Sequence, residues 1–208
     1  MSGIFITGTD TGVGKTYITL LLATAFRGQG LKVGVMKPIS CGPQSKNDAV
    51  CLKRQLELDD SLDLINPIRL RKPLSPYAAA EMESRKSKVG NRKLKIGKIF
   101  SAYKKLSKKY DLVLVEGVGG ALVPITDKYY VRDLIKDFGI PALIVARSGL
   151  GTINHTLLTI ESLKNRNIDI LGIILNGFAG KDLSEKSNAK ITSKLSGIPV
   201  LAEIKWQK

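Results

Sequence analysis

Gly3-Ile-Phe-Ile-Thr-Gly-Thr-Asp-Thr-Gly-Val-Gly-Lys-Thr16 is the stretch from which the rest of the chain is read. Gly3–Thr7 is an apolar run of strand length, the pattern of a strand covered on both faces. A glycine-rich turn follows at once. From Lys15 to Arg27 apolar residues then recur at helical spacing. A strand, a glycine-rich loop and a helix opened by Lys-Thr form the context in which a loop cradles phosphate. The usual motif is Gly-x-x-x-x-Gly-Lys-Ser/Thr, and here one further residue separates Gly8 from Gly14. The physics tolerates it: Gly12 and Gly14 let backbone N–H groups turn inward, and the helix adds its positive dipole end. Lys15 reaches the β- and γ-phosphates and the Thr16 hydroxyl suits Mg²⁺. The nucleotide contacts expected here are Gly12, Val13, Gly14, Lys15, Thr16 and Tyr17.

Outward from that turn, apolar strands alternate with amphipathic helices. Strands are predicted at Lys32–Met36, Asp111–Val115, Pro141–Ala146 and Ile170–Leu175, with a short last one near Pro199–Ala202. Helices are predicted over Lys15–Arg27, Asp48–Leu56, Leu94–Lys109, Val131–Asp137, Ile153–Lys164 and Leu183–Leu195. This alternation predicts an α/β, doubly wound, mostly parallel sheet flanked by helices, the P-loop NTPase fold, as a single domain over residues 1–208. In such sheets ligands bind beyond the carboxyl ends of the strands. The loops after Thr7, Met36, Val115, Ala146 and Leu175 therefore hold the candidate site.

Two of those loops carry chemistry. The run LVLV delivers Glu116 at a strand end, where a P-loop protein places a carboxylate near Mg²⁺, and Gly117, Gly119 and Gly120 follow it. Lys37 ends the second strand and aims a second cation at the same phosphates, where it would stabilise developing negative charge.

Composition excludes other classes. With 43% hydrophobic and 25% charged residues, the chain is ordinary globular material. No apolar run approaches a membrane span and no signal-peptide layout opens the chain, so a soluble, cytoplasmic protein is expected. The two cysteines, Cys41 and Cys51, and the single histidine, His155, rule out thiolate or imidazole metal clusters. A hard cation on oxygen ligands remains. Net charge is +15, and Arg85–Lys109 holds much of it, with 11 Lys/Arg and no acid. Phosphate neutralisation on nucleic acid is one reading of that segment. Against it, Ile96, Ile99, Phe100, Tyr103, Leu106 and Tyr110 recur at three- and four-residue steps, so a helix with a solvated lysine face is preferred.

Taken in order, GTDTGVGKT, KPISCG, Asn47-Asp-Ala49, VEGVGG at Val115–Gly120 and GLGTINH at Gly149–His155 resemble the dethiobiotin synthase family, from about Ile4 to Trp206. The resemblance implies closure of a cyclic urea on 7,8-diaminononanoate with CO₂, ATP and Mg²⁺, through a carbamate and a carbamic–phosphoric anhydride. It implies Thr16, Asp48 and Glu116 as metal ligands, with Lys15, Lys37 and Thr11 as catalytic contacts. For the substrate it implies Lys37, Cys41, Gly119, Leu150, Gly151, Thr152 and Asn154, the loop at Leu150 being shared across a homodimer. For the adenine side it implies Asn176, with Pro199, Leu201 and Glu203 completing the pocket. No nucleic-acid or membrane partner is implied, and His155 reads as a helix-start residue.

Three departures stand out: Cys41 where relatives often carry Ser, Gly12 where an acid is commoner, and PVLAEIKW in place of a Gly-Glu-Ile-Pro-Trp ending. A rival is an ATPase of the partitioning or nitrogenase-iron-protein type acting on protein or DNA. Gly8-Thr-Asp-Thr lacks the early second lysine of that group.

Overall fold

The computed structural model describes residues 3–86, 94–180 and 182–205. The first half of the chain runs β1 (Gly3–Gly8), α1 (Lys15–Gly28), β2 (Val33–Met36), β3 (Ile39–Cys41), α2 (Asp48–Gln55), α3 (Leu62–Ile65), β4 (Ile68–Leu70) and α4 (Pro76–Lys86). The second half runs α5 (Gly97–Lys109), β5 (Leu112–Gly120), α6 (Val131–Phe138), β6 (Ala142–Arg147), α7 (Thr152–Lys164), β7 (Ile170–Phe178), α8 (Glu185–Ser196) and β8 (Val200–Lys205). Six parallel strands form one sheet in the order β2-β5-β1-β6-β7-β8, and β3 pairs with β4 in a small second sheet.

Why the strands read as continuous apolar runs is visible in their packing. Phe5, Val113, Val115, Ile144, Ile173 and Leu175 point into one core with Ile99, Leu106, Leu134 and Ile160. Ile6, Leu114, Leu143, Val145 and Ile174 point to the opposite face, against Ile18, Ala23, Ala49 and Leu52. Successive strand residues thus serve opposite helix layers, as a doubly covered parallel sheet requires. Each Val, Leu, Ile or Phe side chain among them is worth about 1.5–3 kcal/mol relative to exposure.

Every predicted strand and helix is present, with ends shifted by a few residues. One shift matters: β5 continues past Val115 to Gly120, pairing Gly8 with Gly120 across an irregularity after Ile6. Glu116 is therefore inside a strand, buried among partners, rather than at a strand end. Among the elements named above, β3, α3, β4 and α4 were not predicted. The two strands have three residues each, too few for any period to register.

The described part of the basic segment, from Leu94, behaves as an amphipathic helix. Ile99, Ala102 and Leu106 are buried, and Phe100 and Tyr103 pack on the Phe138 ring at 5.3 and 4.9 Å between centroids. Lys98, Lys104, Lys105 and Lys108 are exposed. Residues 87–93 of that segment, and Trp206, lie outside the described residues.

Candidate active site

α1 begins with no side-chain cap and no acid in its first turn, and Gly14 precedes it at φ 93°. The first main-chain bond at this end runs from the Ile18 N–H to the Gly14 oxygen at 3.0 Å. The N–H groups of Lys15, Thr16 and Tyr17 are left without helical partners, the arrangement that receives an anion. Gly14 could not be another residue. A Cβ there would lie 2.0 Å from Nδ2 of Asn176, and its φ is left-handed.

Beside this turn opens a cleft of about 630 Å³. It gathers Thr11, Gly12, Gly14, Lys15 and Thr16 from the loop with Lys37, Cys41, Asp48, Glu116 and Gly119. The centre is the Lys37 ammonium. It lies 2.7 Å from Oδ2 of Asp48 and 2.5 Å from Oε1 of Glu116, and also donates to the Gly117 oxygen at 3.2 Å. The Thr16 hydroxyl donates to the same Oε1 at 2.9 Å. Lys37 is 3% exposed and Glu116 is 0% exposed, so each is tolerable only because the other is there. Glu116 Oε2 is buried with no partner, an open acceptor where buried polar atoms are normally satisfied.

The two lysines differ. Burial and the neighbouring Lys37 charge bring Lys15 down to about 8, although Glu116, Asp48 and Asp10 pull the other way. Its ammonium donates to the Asp10 oxygen at 2.9 Å. For Lys37, burial also disfavours the charge, but the Glu116 and Asp48 carboxylates outweigh it and hold the group above its ordinary range. Burial pushes the Cys41 thiol up to about 11, against the pull of Lys37, so it stays neutral beside the cleft.

Residues distant in sequence hold these groups in place. Nδ2 of Asn66 donates to the Lys37 oxygen at 2.6 Å, and its Oδ1 accepts from Ser40 at 2.7 Å and Asn47 at 3.1 Å. Asn47 caps α2 through the Ala49 N–H, which sets Asp48 at the helix start. The Asn-Asp pair is a readable helix-start signal. Nothing local marks this role of Asn66, because the site residues it holds, Asn47, Ser40 and Lys37, lie 19, 26 and 29 residues away.

Other predicted contacts fall differently. Thr11 and Gly119 face each other, with Oγ1 of Thr11 3.4 Å from the place of a Gly119 Cβ. The Tyr17 ring packs on the second core, so its contribution to an anion is its main-chain N–H. Asn176, 4% exposed, donates to the buried Val13 oxygen at 2.9 Å, and its Oδ1 has no partner.

Thr152 is 0% exposed and its hydroxyl donates to the Arg147 oxygen at 2.5 Å, so its side chain fastens the loop. Leu150, Gly151 and Asn154 lie exposed around it, outside the Lys37 cleft. Pro199, Leu201 and Glu203, expected on the adenine side, lie just before and along β8. Pro199 precedes β8 at the end of the sheet opposite the cleft, Leu201 covers Gly172, and Glu203 is exposed on the edge strand. The cavity beside Asn176 is lined instead by Gly12, Val13, Arg147, Ser148, Gly149, Gly177 and Glu185.

An AAA domain family model matches residues 2–208. Among curated proteins, the chain is 46% identical to the ATP-dependent dethiobiotin synthetase BioD of Thermodesulfovibrio yellowstonii, over 96% of this chain and 87% of that protein. It is 43% identical to the protein of the same name from Methanocaldococcus jannaschii, over 97% and 93%. Among solved structures, the MinC:MinD cell division complex of Aquifex aeolicus aligns over 100% of this chain and 82% of that one, with TM-score 0.61 at 17% identity. The Pyrococcus furiosus cell division ATPase MinD aligns over 99% and 84%, with TM-score 0.58 at 18% identity. At such identities these two structures speak to the fold alone.

Proposed function

The chain belongs to the ATP-dependent dethiobiotin synthetase family, and from that premise we propose how its residues divide the reaction. The protein is an ATP-dependent ligase of biotin biosynthesis, closing the ureido ring of dethiobiotin on 7,8-diaminononanoate and CO₂. One amine takes up CO₂ as a carbamate. A carbamate oxygen attacks the γ-phosphorus and ADP leaves. The second amine then attacks the anhydride carbonyl and phosphate leaves. Such chemistry needs positioning and charge stabilisation more than a protein nucleophile. The observation that carries the assignment is the convergence of Lys15, Thr16, Lys37, Asp48 and Glu116 in one cleft.

Lys15 and the free N–H groups of Gly14, Lys15, Thr16 and Tyr17 take the β- and γ-phosphates. Lys37 turns from its two carboxylates to the carbamate and γ-phosphate oxygens as they arrive. Thr11 and Gly119 wall the reacting centre, and Cys41 lies along the diamine. The orphaned Oε2 of Glu116 supports a cation here, and a hydroxyl with two carboxylates suits Mg²⁺, which keeps other sites for phosphate oxygens and water. Thr16, Asp48 and Glu116 would hold it. When bound, Mg²⁺ neutralises charge on the β- and γ-phosphates.

We also assign a homodimer, supported by Leu122, Leu150 and Leu158, which are 54, 83 and 56% exposed, two of them lining a cavity with His155. No helix among the described residues is long and apolar enough to cross a membrane.

Phosphate release from ATP and Mg²⁺, with 7,8-diaminononanoate and bicarbonate omitted singly, tests the function. Release is expected only with both, with the cyclic urea detected by mass spectrometry. Hydrolysis indifferent to both but stimulated by duplex DNA would replace this function with the partitioning type.

A further inference from the structure

We propose that Glu185 is a positioning residue for the nucleotide base, its buried carboxylate clamping the loops after β6 and β7 into the wall against which the base is read. The proposal rests on the ATP-dependent function above and adds a residue to it.

A second cavity, about 260 Å³, lies beside the phosphate loop on the β6–β7 side. Asn176 lines it with one half of its amide committed to Val13 and the other, Oδ1, buried without a donor. A buried acceptor left open beside a cavity marks the place of a donor from a ligand. The exocyclic amine of adenine supplies that donor, whereas guanine carries a carbonyl oxygen there.

The walls on either side of that acceptor belong to different loops, and Glu185 joins them. It is 6% exposed. Oε1 accepts from the Ser148 hydroxyl at 3.1 Å, and Oε2 from the Gly180 N–H at 2.7 Å and the Ala179 N–H at 3.2 Å. Nearly one turn further along α8, Asn188 donates to the Ser148 oxygen at 2.7 Å and to that of Gly149 at 3.3 Å. Holding the start of α8 does not require this carboxylate, since Asp182 already accepts from the Ser184 N–H at 2.8 Å. Three donors from two loops converge on a group that only accepts when ionised. Glutamine would keep the shape and could still accept from Gly180 and Ala179, but it would lose the charge and would turn an NH₂ to the Ser148 hydroxyl, replacing an acceptor with a donor. The Lys37 cleft lies across the phosphate loop, and Gly12 lines both cavities.

The experiment compares full-length wild type with Glu185→Gln and Glu185→Asp. Equilibrium binding of ATP and of GTP is measured, with steady-state kinetics and thermal melting on the same samples. Wild type is expected to favour ATP. Glu185→Gln should weaken ATP by about fivefold, as when hydrogen bonds to a charged group become neutral ones, and GTP far less. Saturated kcat and the KM for the diamine should hold within about twofold, and Glu185→Asp should recover part of the preference. Unchanged ATP binding, or equal weakening of both nucleotides, would overturn the proposal. Failure of both variants to fold would make the carboxylate merely structural and overturn it as well. A wild type that binds neither nucleotide would instead sink the ATP-dependent reading beneath it.

Discussion

The two sides of the phosphate loop are built on different physics. On the phosphate side, four charged groups meet in one cleft, and the Lys37 ammonium lies within 2.7 Å of both the Asp48 and Glu116 carboxylates. Their places are set by strands β2 and β5 and by the first residues of α1 and α2, elements anchored in the core. On the other side, loops form the wall, and the buried side chain beside the cavity is a neutral amide, Asn176, with one hand already used. Rigid elements can hold charges that would otherwise be expelled from the interior. A wall of loops needs a fastener, and here that is Glu185. The phosphate side should therefore govern rate, and the base side affinity and preference.

Lys37→Ala should break the comparison most severely if it is wrong. Turnover is expected to fall by about 10²–10³ or more, as when a principal charge partner of the transition state is lost, while ATP still binds. Single-turnover phosphate release beside equilibrium ATP binding separates the two effects. Near-normal rates would remove Lys37 from the chemistry.

A pH series sharpens the same side. The free protein holds Lys15 at about 8, and bound phosphates favour its charged form. Below pH 8 the lysine is already charged. Above it, ATP binding must take up a proton, so affinity should fall by up to about tenfold per pH unit until the pKa of the complex is reached. Titration calorimetry in buffers of different ionisation enthalpy reads that proton directly, and a flat profile between pH 8 and 9.5 would contradict the depressed value.

The smallest effect is expected at the far edge of the base side. Glu203→Gln should change the KM for ATP by less than about twofold, as for an exposed side chain away from any special contact. A large change would return the C-terminal strand to the nucleotide pocket.

Pattern and spacing carried the sheet, the helices around it and the phosphate loop, because each depends on residues adjacent in the chain or one helical turn apart. They also carried Lys37 and Glu116, since a residue just past a buried apolar run lies near the ligand end of a parallel sheet. Pattern could not carry β3 and β4, which have three residues each. Nor could it carry the burial of Thr152, whose hydroxyl turns back to Arg147 where the chain folds over itself.

By itself, then, the sequence determined the order of elements, the anion-binding turn and the chemical kinds of group at the strand ends. Tertiary structure alone decided which groups touch. It set Lys37 between Asp48 and Glu116, which are 11 and 79 residues away along the chain, and hung Lys37's carbonyl on Asn66. It also tied the loops after β6 and β7 to α8, where Glu185 reaches back 37 residues to Ser148. The physical reason is one of range. Backbone sterics and side-chain period act between near neighbours, whereas pairing a buried charge or filling an acceptor depends on which distant segments packing brings together.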